Sequence, residues 1–546
     1  MRAPPVLGGA VVHPRQTIPP TSAADDGHGV SASPEQASPE LRGAVRVRSG
    51  DRPDEAPRRD LLRALPTGVL GLLWFLWGAG AHPLQGDEYA TWHAASLDVD
   101  GLGRLIAHKD LVQAPYYAVI HVWIDAFGDS ELSLRMPSVL ALAAATYLVT
   151  VLGFRLADRA SGYVAAVLFV LVPSMTDLAQ FARGYALAVL LTVAATLAFL
   201  AARRTGRAWR WGVYGLLLVL LAAAHLLALS VVVAHAALLL RRGTPRSVRL
   251  AFWTVVGAVA VLLVPAVWWA HGQADLMLSW NVVTEESLRS YAYQLVHSRA
   301  AATGLAVFAG MGVLVLARRP DRGPLVLLLS WALLPPVVLL LASWSAPLFY
   351  YRYLQFTVPA ITLLAGIGLV GGLRELSGRR TAWALPAVAL VLCATAWSVW
   401  GDQRWARSAD RSDRPDVAGA SEVVLDRSAP GDVVVFGDQG DRTRTPFDHA
   451  ARDRAQRPRD VLVERTGAVS GWFGATECGQ PVECLGDPAR IWLMNLPAAD
   501  DPLSGLDPDL RLHLVEGYRI VQRWDLTGTQ VVELVPKDPA GGAGSG

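Results

Sequence analysis

The sequence predicts a polytopic α-helical membrane protein of about eleven transmembrane helices, followed by a C-terminal extracytoplasmic α/β domain. Three observations predict it. Of 546 residues, 52% are hydrophobic and 18% charged, against about 25% charged in soluble chains. Apolar runs of about 15–20 residues recur along the chain, which soluble domains do not do. Arginine fills alternate connections between those runs and avoids the others. Mean hydropathy is +0.32, which excludes an ordinary soluble enzyme and a mostly disordered chain.

Lys and Arg total 49 and Asp and Glu total 47, a net charge of +2, so no nucleic-acid partner is expected. Lys109 and Lys537 are the sole lysines; with abundant Ala and Arg this points to a GC-rich bacterial genome. Three cysteines exclude a disulfide framework, and no metal-type Cys/His spacing occurs.

Residues 1–60 are rich in Pro, Ser, Ala and charge, with no apolar period, and are expected to be a disordered cytoplasmic tail. Arg58-Arg59 superficially matches a twin-arginine export signal, but the basic flank of a first span is the better reading. The apolar runs lie at about 64–82, 137–155, 161–176, 184–202, 211–226, 228–240, 250–270, 301–317, 324–343, 354–373 and 382–400. The fifth and sixth share only His225 and small residues as a turn, as in a short hairpin. Arg155 and Arg159, Arg203 to Arg210, Arg241 to Arg249, Arg318 to Arg322, and Arg374 to Arg380 then share one side with the basic flank. The positive-inside rule makes that side cytoplasmic. Residues 83–136, 177–183, 271–300, 344–353 and everything beyond about 401 fall outside.

The final stretch, 401–538, contains the strand-like runs 431–438, 460–466, 489–497 and 518–536 and a helical segment at 415–428, which together read as an α/β domain. Residues 539–546 read as a flexible tail. Cys478 and Cys484, six residues apart in an outer Gly/Pro-rich loop, suit a small disulfide. Cys393 reads as a small apolar residue within a span.

Chemistry concentrates on the outer side. "QGDEYATW" (85–92) places Asp87 and Glu88 at the mouth of the first span. A carboxylate near a bilayer has a raised pKa unless paired, which suits a general base. The plain alternative is an acidic turn capping a helix at 89–97. "APYYAVIHVWIDAFGDSELSLRMPS" (114–138) contains an amphipathic segment too short to span, expected in the interface. Its Tyr116, Tyr117 and Trp123 fit an interfacial belt as well as a sugar platform. Arg135 faces outward against the charge bias, either to bind phosphate or to pair with Glu131. Arg183 and Tyr185 in "DLAQFARGYAL" (177–187) and Arg352 in "FYYRYLQFTVP" (349–359) repeat that placement. Each arginine alone fits a structural pairing; three together with an acid pair fit an anionic lipid head group. His225 either points into a cavity or bonds a backbone carbonyl, the latter being preferred. The segment 271–300, with Trp280, Glu285, Glu286, Arg289, His297 and Arg299, resembles a partly helical lid without specifying chemistry.

These motifs, in this order, resemble the GT-C superfamily of integral-membrane glycosyltransferases, in the branch of the protein O-mannosyltransferases and the aminoarabinose transferase of lipid A. "RPDVAGASEVVLDRSAPGDVVVFGD" (414–438) resembles the start of the outer domain in bacterial members. The likeness covers about 61–440, with 61–400 as the transmembrane catalytic part. It implies a polyprenyl-phosphate sugar donor and transfer with inversion to an envelope glycan, lipid or protein. In that likeness Asp87 is the base, Glu88 orients the acceptor or Asp87, and Arg183 and Arg352, with Arg135, stabilise the departing phosphate. Tyr117, Tyr185 and His225 complete the substrate-binding set. Ala114 stands where many members carry a second proline. Some relatives use a divalent metal; here no ligand cluster extends beyond the acid pair, so no metal or other cofactor is expected. A transporter or flippase of lipid-linked glycans is the main rival, but the acids lie in a loop rather than at mid-membrane and no inverted repeat appears. A non-catalytic scaffold is the second.

Overall fold

The computed structural model describes residues 55–273, 281–377, 384–408, 414–437 and 440–537. The expected tail up to residue 54, Trp280 and the final 539–546 lie outside them. The first helix, α1 (Glu55–Leu76), begins inside the stretch expected to lack structure. Its leading residues, though charged, include the strong helix formers Glu, Ala, Arg and Leu, and they extend the apolar run backwards.

The helices follow in order: α2 (Asp87–Ser96), α3 (Val99–His108), α4 (Ala114–Phe127), α5 (Glu131–Leu156), α6 (Arg159–Leu171), α7 (Pro173–Ala179), α8 (Tyr185–Thr205), α9 (Ala208–Ala224), α10 (Val231–Leu239) and α11 (Arg246–Gly272). Helices Glu285–Val296, Arg299–Ala317, Gly323–Ala342, Val358–Ser377, Ala384–Ser398 and Trp400–Ala406 complete this part. Among the described residues every expected apolar run overlaps a helix, the first up to Leu76 and the last from Ala384. Among the described residues six helices are long and apolar enough to cross a bilayer, and α6 with α7 makes a seventh broken span. The break turns the axis by 67°. Its cause is Pro173, which drives Val172 out of the helical region to φ −69°, ψ 117°. The hairpin of α9 and α10 turns at His225 through a 3-10 segment, Leu226–Ser230, and its arms are short, as expected. Among the described residues, length and composition therefore do not confirm all eleven spans: α1 is too charged, both hairpin arms are short, and the last run is described only from residue 384 onward.

The arginine-rich connections meet at one end of the bundle. Arg159 pairs with Asp60 at 3.0 Å, Arg374 with Asp158 at 2.8 Å, Arg318 with Glu375 at 2.7 Å and Arg241 with Asp321 at 2.7 Å. Exposed pairs stabilise little, but this chain of contacts joins the connections that the alternating count puts on one side. Elsewhere the bundle is closed by backbone contact. A methyl on Gly368 would collide with the Phe308 carbonyl oxygen, and one on Gly312 with the Leu364 carbonyl oxygen. Helices Arg299–Ala317 and Val358–Ser377 thus touch main chain to main chain, the small-residue packing that bilayers favour. By contrast α11 leaves Leu250, Trp253, Val261 and Trp268 on the surface, as lipid-facing residues do.

The opposite end carries α2 to α4 and the C-terminal domain. The bundle reaches past the expected boundary at 400. Gln403, in helix Trp400–Ala406, accepts from Thr176 at 2.8 Å and donates to the Leu171 carbonyl at 2.9 Å. Arg407 donates to the carbonyls of Trp74 and Trp77 at 3.1 Å each, capping the end of α1, and its guanidinium lies over both indoles.

The C-terminal domain is α/β. Its strands are β1 (Val433–Phe436), β2 (Arg459–Asp460), β3 (Val463–Arg465), β4 (Thr476–Glu477), β5 (Ile491–Asn495), β6 (Tyr518–Leu526) and β7 (Thr529–Pro536). Five form one sheet in the order β2-β1-β5-β7-β6, with β3 and β4 as a separate ribbon. β1 runs parallel to β2 and β5, and β7 antiparallel to β5 and β6. β1 is apolar throughout, β5 is apolar up to its final Asn495, and both are buried on both faces, as central strands are. The run 518–536 is a hairpin rather than one strand, because Gly528 takes φ +65° at its tip. Helix Val417–Arg427 lies where 415–428 was expected. Cys478 and Cys484 are disulfide-bonded.

Candidate functional site

Gly86 adopts φ 34°, a region that glycine enters freely, and it turns the chain from the end of α1 into α2. Asp87 and Glu88 therefore lie in the first helical turn, where backbone N–H groups favour negative charge. Successive residues on a helix point about 100° apart, so the two acids face different environments.

Glu88 faces inward. Arg135 donates Nε to Glu88 Oε1 and Nη2 to Oε2, both at 2.8 Å. The remaining Arg135 N–H groups go to the carbonyls of Ala79, His82 and Pro83 at 2.8–2.9 Å. Both side chains are buried. Glu88 also accepts from the backbone N–H of Ala182 at 3.0 Å and of Gln85 at 3.2 Å. Arg135 thus pairs with Glu88 and not Glu131, and it has no N–H left for a phosphate. Its position four residues into α5 puts it beneath the loop, where five acceptors converge. Glu88, equally saturated, ties α2 to α5 and to the α7–α8 connection rather than reaching a substrate.

Asp87 faces outward, with 46% of its side chain accessible. Arg183 Nη2 stands 3.6 Å from its Oδ1 and Arg352 Nη1 3.4 Å from its Oδ2. Crowding by surrounding protein pushes the Asp87 pKa up, but the two guanidiniums outweigh it and hold the carboxyl below the usual carboxylate range. The raised value expected of an unpaired acid near a bilayer is therefore reversed by pairing, and Asp87 is ionised at neutral pH.

Arg183 is itself held from behind. Its Nη1 donates to Tyr117 Oη at 2.7 Å, and Tyr117 donates to Asp110. Asp110 Oδ2 lies 3.5 Å from the same Nη1. Arg183 Nε is buried with no partner. Asp110 is buried in a left-handed conformation, φ 65°, which costs a non-glycine residue energy and marks an over-determined position. Gln273, just past α11, clamps this loop: it accepts from the Leu111 N–H at 3.0 Å and donates to the Ile106 carbonyl at 3.0 Å. Nothing in the sequence singled out Asp110. Its one local signal is an aspartate, a residue that tolerates the left-handed region, directly after Lys109.

An aromatic wall flanks the pair of arginines. The Arg352 guanidinium lies 5.0 Å from the Phe181 ring centroid and 5.8 Å from that of Tyr350. Tyr185 packs edge-on to His225 at 5.3 Å and near Tyr353 at 6.3 Å. His225 Nε2 lies 3.3 Å from the Tyr353 carbonyl oxygen, the backbone partner preferred for it. Tyr117 is buried behind Arg183, and the Trp123 Nε1–H is bonded to the Ser133 carbonyl at 2.9 Å, so neither forms an open platform. In the lid segment His297 pairs with Asp177, a contact the sequence did not suggest. Among the described residues no three His, Cys, Asp or Glu side chains cluster as metal ligands would.

The C-terminal domain rests on α2. The His449 ring meets the Trp92 ring edge-on at 4.9 Å and that of Tyr89 at 5.7 Å. Trp92 Nε1 donates to Asp129 at 2.9 Å, and Arg452 Nε lies 3.2 Å from the same carboxylate.

A reachable carboxylate between two arginines, one buried and one half-open, can accept a proton beside an oxyanion site. No protein-family model matches the sequence, and no curated protein matches it. Solved structures do. ArnT from Cupriavidus metallidurans bound to undecaprenyl phosphate superposes with a TM-score of 0.52 at 13% identity, covering 86% of this chain and 97% of that one. The same protein in the apo state gives 0.51 over the same shares, also at 13% identity. The archaeal oligosaccharyltransferase AglB from Archaeoglobus fulgidus, with an inhibitory peptide and a dolichol-phosphate, gives 0.47 at 11% identity, covering 86% and 74%.

Proposed function

The chain has the fold of the GT-C membrane glycosyltransferases, and on that premise we propose that it transfers a sugar from a polyprenyl-phosphate donor to an acceptor hydroxyl. The observation that carries the reading is the convergence of Arg183 and Arg352, from two distant connections, on the accessible carboxylate of Asp87. Asp87 takes the proton from the acceptor hydroxyl as that oxygen attacks the anomeric carbon. The bond from that carbon to the phosphate oxygen breaks on the opposite face, so configuration inverts. Arg183 and Arg352 receive the charge of the departing polyprenyl phosphate, and the unpartnered Nε of Arg183 adds a further donor. Undecaprenyl phosphate bound to the neighbour of like fold supports a lipid-phosphate donor. Mannose or another hexose or pentose is the sugar, and an envelope glycan, lipid or protein the acceptor. The site faces the outside of the cell and the arginine-rich end the cytoplasm, a reading supported by the positive-inside count.

Full-length protein given radiolabelled polyprenyl-phosphate sugar should pass label to membrane acceptors. Asp87→Asn removes the proton acceptor at constant shape and should abolish transfer with the fold intact. Transfer at the wild-type rate in that variant overturns the assignment. Movement of lipid-linked glycan across vesicles without any transfer favours a flippase.

A further inference from the structure

We propose that the C-terminal domain supplies part of the site: helix Gly440–Ala451, latched on α2, presents Arg442 to the mouth of the Asp87 pocket, where it holds an oxyanion of a substrate. This inference rests on the glycosyl-transfer reading above and assigns the domain a role within it.

The latch is built from specific contacts. His449 lies edge-on to Tyr89 and Trp92, two and five residues beyond Asp87 in α2. Arg452, just past the helix, and Trp92 share the Asp129 carboxylate. His449 is buried; its Nε2 has no partner, while its Nδ1 lies 3.3 Å from Arg452 Nη1, so the ring is held by packing and by Arg452. Arg442 precedes His449 by seven residues. That is two helical turns, about 10 Å along one face, so the face that seats His449 on α2 also carries Arg442. The opposite face turns into the domain: Arg444 pairs with Asp460 at 2.6 Å and Glu477 at 2.9 Å, and Phe447 packs on Phe436. Arg442 is exposed, and among the described residues it makes no ion pair or hydrogen bond. Its positive charge acts on the Asp87 carboxylate together with those of Arg183 and Arg352. The three arginines come from three separate parts of the chain. Arg183 and Arg352 are braced within the bundle, whereas Arg442 comes from the C-terminal domain and, among the described residues, is left available to a ligand. A guanidinium fork in that place matches a phosphate or carboxylate. The anion is either the donor phosphate or an anionic group of the acceptor.

The test uses the full-length protein, with undecaprenyl phosphate as the binding probe and sugar transfer as the readout. Arg442→Gln keeps length and removes charge. If the anion belongs to the donor, this variant should weaken undecaprenyl phosphate binding and raise the donor KM by about tenfold, one charge-assisted contact. If it belongs to the acceptor, lipid affinity should hold while transfer at saturating donor falls by about tenfold. Arg442→Lys should recover part of either loss. His449→Ala should reproduce the Arg442→Gln defect by freeing the helix, and His449→Phe, which keeps a ring on Trp92, should not. Lipid affinity and transfer both within twofold of wild type in Arg442→Gln, in membranes where Asp87→Asn is inactive, overturn the inference and leave the function standing. Loss of transfer in His449→Phe equal to that in His449→Ala overturns the latch.

Discussion

Arg352→Gln should move the acid limb of the pH profile. The perturbation removes one of two positive charges from Asp87 and leaves an uncharged amide in its place. Arg352 Nη1 lies 3.4 Å from Asp87 Oδ2, with 32% and 46% of the two side chains accessible. At that separation two unit charges attract by about 1.2 kcal/mol in bulk water and about 5 kcal/mol at a surface dielectric of about 20. Half-open groups are screened by solvent, so the lower figure applies, and about 1.4 kcal/mol is one pKa unit. Asp87 is held low in the wild type, so its base form persists as pH falls through the usual carboxylate range near about 4. Without Arg352 its pKa rises, and kcat/KM for transfer should begin to fall about one pH unit earlier on acidification. The assay is sugar transfer between about pH 3 and pH 7 with subsaturating donor, where the limb reports the free enzyme. Arg352→Lys keeps the charge and should leave the limb in place, while weakening the donor through loss of the fork. An unmoved limb in Arg352→Gln, or an equal shift in Arg352→Lys, would refute the coupling of this arginine to Asp87.

Further outcomes follow from the two networks behind the site. Arg135→Met strands the buried carboxylate of Glu88 and should cost about 3–5 kcal/mol, read as a large drop in thermal stability in detergent. The double variant with Glu88→Met should recover most of it, since a paired hydrophobic replacement leaves no buried charge. Asp110→Asn should loosen Arg183 and raise the donor KM by roughly ten- to hundredfold, the worth of one hydrogen bond to a charged group. Unchanged lipid affinity would show that Arg183 is held without Asp110.

Much of this was legible in the residues. Among the described residues each apolar run overlaps a helix, because a segment in hydrocarbon must satisfy its own backbone and so must coil wherever it is apolar. Arg183 and Arg352 stood out as cations on the side that topology disfavours, and they are the ones that meet Asp87. Arg135 stood out by the same criterion, yet it is a bracket under Glu88. The difference lies in what surrounds each side chain, five convergent acceptors for Arg135 against an open carboxylate for the others, and no local pattern encodes that. Asp110 escaped notice because its importance comes from Arg183, 73 positions away, and from a backbone conformation that no single-residue preference demands. Arg442 and His449 escaped because they belong to a domain whose docking on α2 is set by surface shape. The break at Pro173, by contrast, was readable in part, since proline disfavours helical geometry in the residue before it, although Pro137, Pro265 and Pro335 lie inside unbroken helices.

The contact at Gly312 and Gly368 makes one seam of the bundle a main-chain contact. Where two main chains abut, no rotamer can change and no side chain can slip, so that pair of helices turns or shifts only as a rigid block. If the proposed lipid-phosphate donor enters sideways from the bilayer, the helices that part for it are expected to be ones packed through side chains, not this pair.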